Sequence, residues 1–249
     1  MPENDTPKPL INISTQWTLL FQAHHGEGGV VQEAQRQLLL RYCGAVYGYL
    51  LKALRDPGAA AEQCQEFALR FVRGDFKRAD PQRGRFRDLL RTVLYHLVVD
   101  YYRQRRAQPA PLPADSGYHP VAPEAASLDQ EFQNQWRREL LARSWEALET
   151  DQEHGKHPYF AVLHWRAKHP EATAAEMAVE LSQQLGRSVT EASARQLLHR
   201  ARVRFAELLR DEVARSLAGP TPEQLEEELR DLGLQAYCSP VSSHGGDSS

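Results

Sequence analysis

The stretch Arg83 to Arg106, RGRFRDLLRTVLYHLVVDYYRQRR, carries the residue types and spacing best suited to gripping an anion. It holds seven arginines against two acids, a local net charge of +5 in a chain of 249 residues whose formal net charge is −3. Phe86, Leu89, Leu90, Val93, Leu94, Leu97, Val98 and Tyr101 recur at steps of three and four. That period predicts a helix with one apolar face. Arg85, Arg87, Arg91, His96, Tyr102, Arg103, Arg105 and Arg106 fall on the other faces. Arginines hold phosphates and aromatic rings stack on unpaired bases, so the combination fits a strand of nucleic acid. Tyr95 and Tyr102 are the stacking candidates, whereas Tyr101 lies on the apolar stripe and is expected in the core. An ordinary solvated basic face is the competing reading.

A second basic segment lies near the C-terminus. Thr173-Ala-Ala-Glu176 is a capping box, and the helix that it opens is closed by Leu185-Gly186. The turn Arg187 to Val189 then leads into a helix from Thr190 to about Leu217, with Thr190 as the expected N-cap and Ser188 with Glu191 as a competing box. Helix, glycine-containing turn, helix is the layout of a helix-turn-helix, whose second helix reads the major groove with its N-terminal residues. Arg195 and Gln196 have the right groups for guanine and adenine edges, respectively. His199, Arg200, Arg202 and Arg204 are placed to hold phosphates. Core packing is the alternative for His199. From Arg195 to Arg210 the net charge is +4, and from Asp211 to Asp231 it is −5. An acidic tail folding over the basic helix is one use of that contrast.

The elements that must position these residues read as helices throughout. No alternating β-branched run bounded by turn residues occurs. Val30 to Leu54 and Ala59 to Val72 are two helices separated by Asp56-Pro57-Gly58. Five prolines between Gln108 and Ala126 mark an extended linker. Helical pattern resumes from Leu128 to about Glu149 and again from Pro158 to Lys168. The expected fold is therefore all-α: two small helical domains, 15–106 and 128–217, joined by a Pro-rich linker at 107–127. An acidic and disordered tail follows at 218–249, with a helix-like piece from Pro222 to Leu234.

Composition narrows the function. No apolar run approaches the roughly 20 residues of a membrane span. The N-terminus lacks the basic flank and apolar core of a secretory signal. Cys43, Cys64 and Cys238 form no CxxC pair, which fits a reducing cytoplasm. His154, His157, His164 and His169 cluster in sequence without a recurring ligand spacing, so no metal is expected. Phosphate-loop, nucleophile-elbow and zinc-protease motifs are absent, and neither enzymatic activity nor a cofactor is expected.

In order and spacing, several motifs resemble those of bacterial RNA polymerase sigma factors of the small, extracytoplasmic-function type. Asp56, Glu62, Gln65, Glu66 and Phe67 match the family's second region. Gly84, Phe86, Arg87, Leu90, Asp100 and Arg103 match its melting and recognition helix. His199-Arg200-Ala201-Arg202 matches the end of its helix-turn-helix. Gln16-Trp17-Thr18-Leu19-Leu20 and Glu212-Val213-Ala214 look like one subgroup. The resemblance covers roughly residues 15 to 215. Ala68 departs from it, standing where a second Phe is frequent.

The resemblance implies a sigma region 2-like domain and a sigma region 4-like domain. It implies that Glu62, Gln65, Glu66 and Phe67 dock on core RNA polymerase, with core packing as the competing reading for Phe67. The minus-ten element of promoter DNA would be taken by Arg87, Arg91, Tyr95, His96, Tyr102, Arg103, Arg105 and Arg106. The minus-thirty-five element would be taken by Arg195, Gln196, His199, Arg200 and Arg202. An inhibitory anti-sigma partner is common in the family. Two alternatives stand beside this reading: a stand-alone helix-turn-helix regulator that has lost polymerase docking, and a helical module whose arginines bind an acidic protein.

Overall fold

Residues 16–25, 28–77, 79–80, 84–107, 124–155 and 157–238 are described by the structure, a computed structural model. Among them every regular element is an α-helix: α1 (Gln16–His25), α2 (Gly29–Leu54), α3 (Pro57–Arg73), α4 (Phe86–Ala107), α5 (Ala125–His154), α6 (Tyr159–Lys168), α7 (Ala174–Leu185), α8 (Glu191–Arg215), α9 (Pro222–Asp231) and α10 (Gln235–Cys238). The protein is all-α, as the periodicity predicts. Arg83, the linker over 108–123 and the tail from Ser239 onward lie outside the described residues.

The chain forms two compact units. The first comprises the described residues up to Glu139 with Ala214–Pro220, and the second comprises Leu140–Val213 with those from Thr221 on.

Local signals set the helices of the first unit. Asp56 caps α3, its carboxylate accepting from the Gly58 and Ala59 amides at 2.9 and 3.1 Å. Pro57, with its φ already near the helical value, fits the first turn. Gly74 ends α3 at φ 93°, a left-handed conformation that only glycine adopts cheaply. Its amide and that of Asp75 return to the Phe71 and Arg70 carbonyls.

The buried face of α3, with Phe67 and Phe71, meets Phe76 through edge-on ring contacts at 5.9 and 5.3 Å. α2 contributes Leu38, Tyr42, Val46, Tyr49 and Leu50 to the core, and α4 contributes Phe86, Leu90, Leu94, Leu97 and Val98.

The first unit takes in the start of α5, which the sequence reading places in the second domain, 128–217, rather than in the first, 15–106. Phe132 and Trp136, one turn apart near the start of α5, belong to its core. Trp136 stacks on Tyr42 with ring centroids 5.4 Å apart and planes within 1°, and Phe132 meets Tyr49 edge-on. The pattern from Leu128 to Glu149 is one uninterrupted helix and carries no local mark of where its partners change.

In the second unit, Val162, Met177, Ala178, Leu181, Ala194 and Ala201 form a core shared by α6, α7 and α8. The stretch expected as an acidic tail is in part a structured element of this unit. Thr221 and Gln224 form a capping box at the start of α9, and Leu225, Leu229, Leu232 and Leu234 are buried.

Candidate nucleic-acid interface

The turn between α7 and α8 is fixed by several small contacts. Thr173 Oγ1 accepts from the Glu176 amide at 3.2 Å while the Glu176 carboxylate accepts from the Thr173 amide at 2.7 Å. The Thr173 amide, and then the Thr173 hydroxyl, which donates to the same carboxylate at 2.9 Å, hold the Glu176 carboxyl below the usual carboxylate range. Gly186 closes α7 at φ 61°. The Ser182 hydroxyl accepts from the Val189 amide at 2.9 Å, tying the turn back to α7. Thr190 Oγ1 accepts from the Ser193 amide at 3.2 Å, so Thr190 rather than Ser188 makes the capping contact of α8.

These constraints leave the N-terminal half of α8 with an inward and an outward side. Ala194 and Ala201 are fully buried against α7 and α6, with Leu197 and Leu198 partly covered. Arg195, Gln196, His199 and Arg200 are all exposed. Arg195 is held by Glu191 one turn before it, an exposed pair that a base edge can replace at little cost.

Two other arginines of α8 are placed differently. Arg204 is not available to phosphate. It makes a two-pronged pair with Asp151 of α5 at 2.7 and 3.1 Å and a further bond to Glu207 at 2.8 Å. Arg202 is half-buried and lines a cavity on the flank of the helix.

On α4 the structure revises several expectations. Arg87 is buried, at 7% exposure, because it sits one turn before Leu90 on the inward side. It cannot meet a phosphate there. Tyr102 is likewise buried, and its hydroxyl donates to the Ala53 carbonyl at 3.1 Å. Tyr101, expected in the core, is instead half-exposed. Its hydroxyl accepts from Arg105 at 2.6 Å, and that guanidinium lies 5.8 Å from the ring centroid. The two tyrosines have exchanged the roles assigned from the helical period.

Arg91 is engaged with Asp129 at 3.5 Å and lies 4.0 Å from Asp88. Arg103 is exposed and bonds Asp100 at 2.9 Å. Arg105, Arg106 and His96 are exposed, and Tyr95 is half-exposed beside His96. Steps of four, four and three place Tyr95, Val99, Arg103 and Arg106 in one row of the helix. A cavity of about 320 Å³, lined by Arg70, Asp75, Phe76, Ala79, Leu89, Val93 and His96, opens beside this element.

The proposed docking residues of α3 divide in the same way. Glu62 and Gln65 are exposed, and Glu66 is half-buried and bonded to Arg70 at 2.7 Å. Phe67 is 3% exposed and belongs to the aromatic core, so it cannot anchor a partner. Sequence reasoning missed Leu69 and Val72, exposed at 48% and 51%. Both continue the row of Glu62 and Gln65 at helical steps, and that phase is the signal that would have found them.

Among the described residues no group of three or more His, Cys, Asp or Glu side chains could hold a metal ion. Three of the four clustered histidines pack on aromatic rings, His164 on Phe160, His157 on Tyr159 and His169 on Trp165, and His154 Nδ1 lies 2.9 Å from the Thr150 carbonyl. No described helix is long and apolar enough to cross a membrane. Comparison of the chain with family models, with curated proteins and with solved structures finds no match.

Proposed function

We propose that this protein is a promoter-specificity subunit, a sigma factor of the extracytoplasmic-function type, acting in the cytoplasm with core RNA polymerase. The observation that carries the proposal is the outward row of Arg195, Gln196, His199 and Arg200 at the start of a helix that follows a capped, glycine-closed turn. Those groups are the ones that hydrogen-bond base edges and phosphates in a major groove.

A second arginine-bearing helix supports the reading. On α4, Tyr95, Tyr101, His96, Arg103, Arg105 and Arg106 combine half-exposed rings with exposed cations, the requirement for holding unpaired bases. Unstacking a base costs a few kcal/mol, and stacking it on such rings offsets that cost. On α3 the docking surface is redrawn as Glu62, Gln65, Leu69 and Val72: two polar groups with two aliphatic contacts suit a mixed polar and apolar partner helix.

The test is in vitro transcription from a genomic promoter library by purified core polymerase, with and without this protein. Initiation that depends on the protein, at sites sharing two spaced elements, is the expected result. Absence of both initiation and core binding would overturn the proposal and leave a stand-alone helix-turn-helix regulator.

A further inference from the structure

The second unit contains a cavity of about 730 Å³, within the range of sites that take small molecules. Trp145, Leu163, Phe205 and Tyr237 give it apolar and aromatic walls. Three guanidinium groups border it: Arg166 from α6, and Arg202 and Arg210 from α8. Glu207 is the carboxylate on the wall, and Arg204 already engages it.

The three cations differ in how they are satisfied. Arg210 is paired with Glu226 of α9. Arg166 donates to the Ala172 carbonyl, a neutral acceptor. Arg202 has no carboxylate within ion-pair distance among the described residues. Burial, and then the neighbouring charge of Arg166, lower its proton affinity. Neither Arg166 nor Arg202 is ion-paired to a carboxylate among the described residues, so two like charges face one apolar-walled space, and a bound anion between them would relieve the repulsion.

We propose that this cavity binds a small amphipathic carboxylate, its aromatic or alkyl body against Trp145 and Phe205 and its anionic end between Arg166 and Arg202. The chemistry requires both parts. A compact inorganic anion leaves the apolar walls wet, and a neutral hydrocarbon leaves the two cations uncompensated. Arg202 lies on the proposed recognition helix, so occupancy restrains α8. An effect on DNA binding rests on the proposed function, whereas the binding itself does not.

The test uses the full chain, without polymerase or DNA, and calorimetric titration with 1-naphthoate. Saturable binding is expected, at least tenfold tighter than that of 1-naphthalenemethanol or of sulfate. Arg202→Ala is expected to weaken it at least tenfold, and Ala206→Trp, which fills the space, to abolish it. Cys238 borders the cavity, so naphthoate should slow its alkylation, located by mass spectrometry, and leave Cys43 and Cys64 unaffected. The ligand series and the protection experiment need no variant and hold whether or not a substituted chain folds. Equal affinity for the alcohol, equal affinity for sulfate, unprotected Cys238, or binding unchanged by Arg202→Ala would each overturn the proposal.

Discussion

Arg204 of α8 clasps Asp151 of α5 with two parallel hydrogen bonds, Nε to Oδ2 at 2.7 Å and Nη2 to Oδ1 at 3.1 Å. The hydrogen bond to Asp151 holds the guanidinium proton more tightly than usual. Both side chains keep part of their surface in water, at 27% and 41%, so the pair is worth less than a buried one. Arg204→Ala is expected to destabilise the protein by about 1–2 kcal/mol, between the values for exposed pairs and for hydrogen bonds to charged groups. Arg204→Lys should recover less than half of that, because an ammonium cannot supply the planar fork. Denaturant midpoints measure the loss, and a double-mutant cycle with Asp151→Ala assigns it to the pair. Unchanged stability combined with weakened DNA binding would move Arg204 to the nucleic-acid surface.

The exposed positions of α8 should divide by role. Arg195→Ala and Gln196→Ala are each expected to cost about 1–3 kcal/mol on the preferred duplex and to relax selectivity at one base pair. Arg200→Ala should weaken all duplexes alike and reduce the slope of log affinity against log salt by about 1. Titration of a panel of single-base variants at several salt concentrations separates the two patterns. A uniform loss for Arg195→Ala would make it a phosphate contact.

The elements were legible in the sequence because capping and periodicity are local. Thr173, Glu176, Gly186 and Thr190 stand where the helix ends need them. The errors are errors of phase. Charge type suggested an outward Arg87, but it lies one turn before Leu90 and turns inward with it. Tyr101 and Tyr102 are adjacent, 100° apart on the helix, and both border the apolar stripe. Which one is buried depends on where α2 offers an acceptor, the Ala53 carbonyl, and no local pattern encodes that. For Phe67 the motif points to a partner and the step of four to Phe71 points to the core, and the core reading holds. The division of α5 between two units depends on the rings that Phe132 and Trp136 meet in the folded chain.

Tyr101 and Tyr102 therefore make opposite forecasts. Tyr102→Phe leaves the Ala53 carbonyl without its hydroxyl partner and should cost about 1 kcal/mol of stability with unaltered nucleic-acid affinity. Tyr101→Ala should change stability little but weaken binding to a single-stranded promoter oligonucleotide by about 1–3 kcal/mol, the range for one stacked base. Thermal unfolding and fluorescence anisotropy on the same two variants decide it. Loss of strand affinity in Tyr102→Phe at unchanged stability would restore the original assignment.

Cys43 on α2 and Cys64 on α3 lie side by side. Cys64 Sγ lies 3.9 Å from the Cys43 carbonyl oxygen, to which its S–H donates; turned instead to the Cys43 side chain, the same S–H favours the Cys43 thiolate. That hydrogen bond lowers the Cys43 thiol to about 7 against the opposing effect of burial, and the same bond raises Cys64. The first proton leaves easily because the resulting thiolate keeps a donor, and the second leaves with difficulty because the charge would be doubled. Only the thiolate attacks an electrophile, so alkylation at Cys43 should rise about tenfold per pH unit below 7 and level off above it. Cys64→Ala removes the donor and should move the midpoint up, toward the ordinary thiol value of about 8.5. Cys64→Ser keeps an O–H donor and should hold the midpoint below the alanine variant. Iodoacetamide rates at Cys43, read by peptide mass spectrometry across pH 5 to 10, measure all three. An identical midpoint in the native chain and in Cys64→Ala would show that Cys64 does not activate its neighbour.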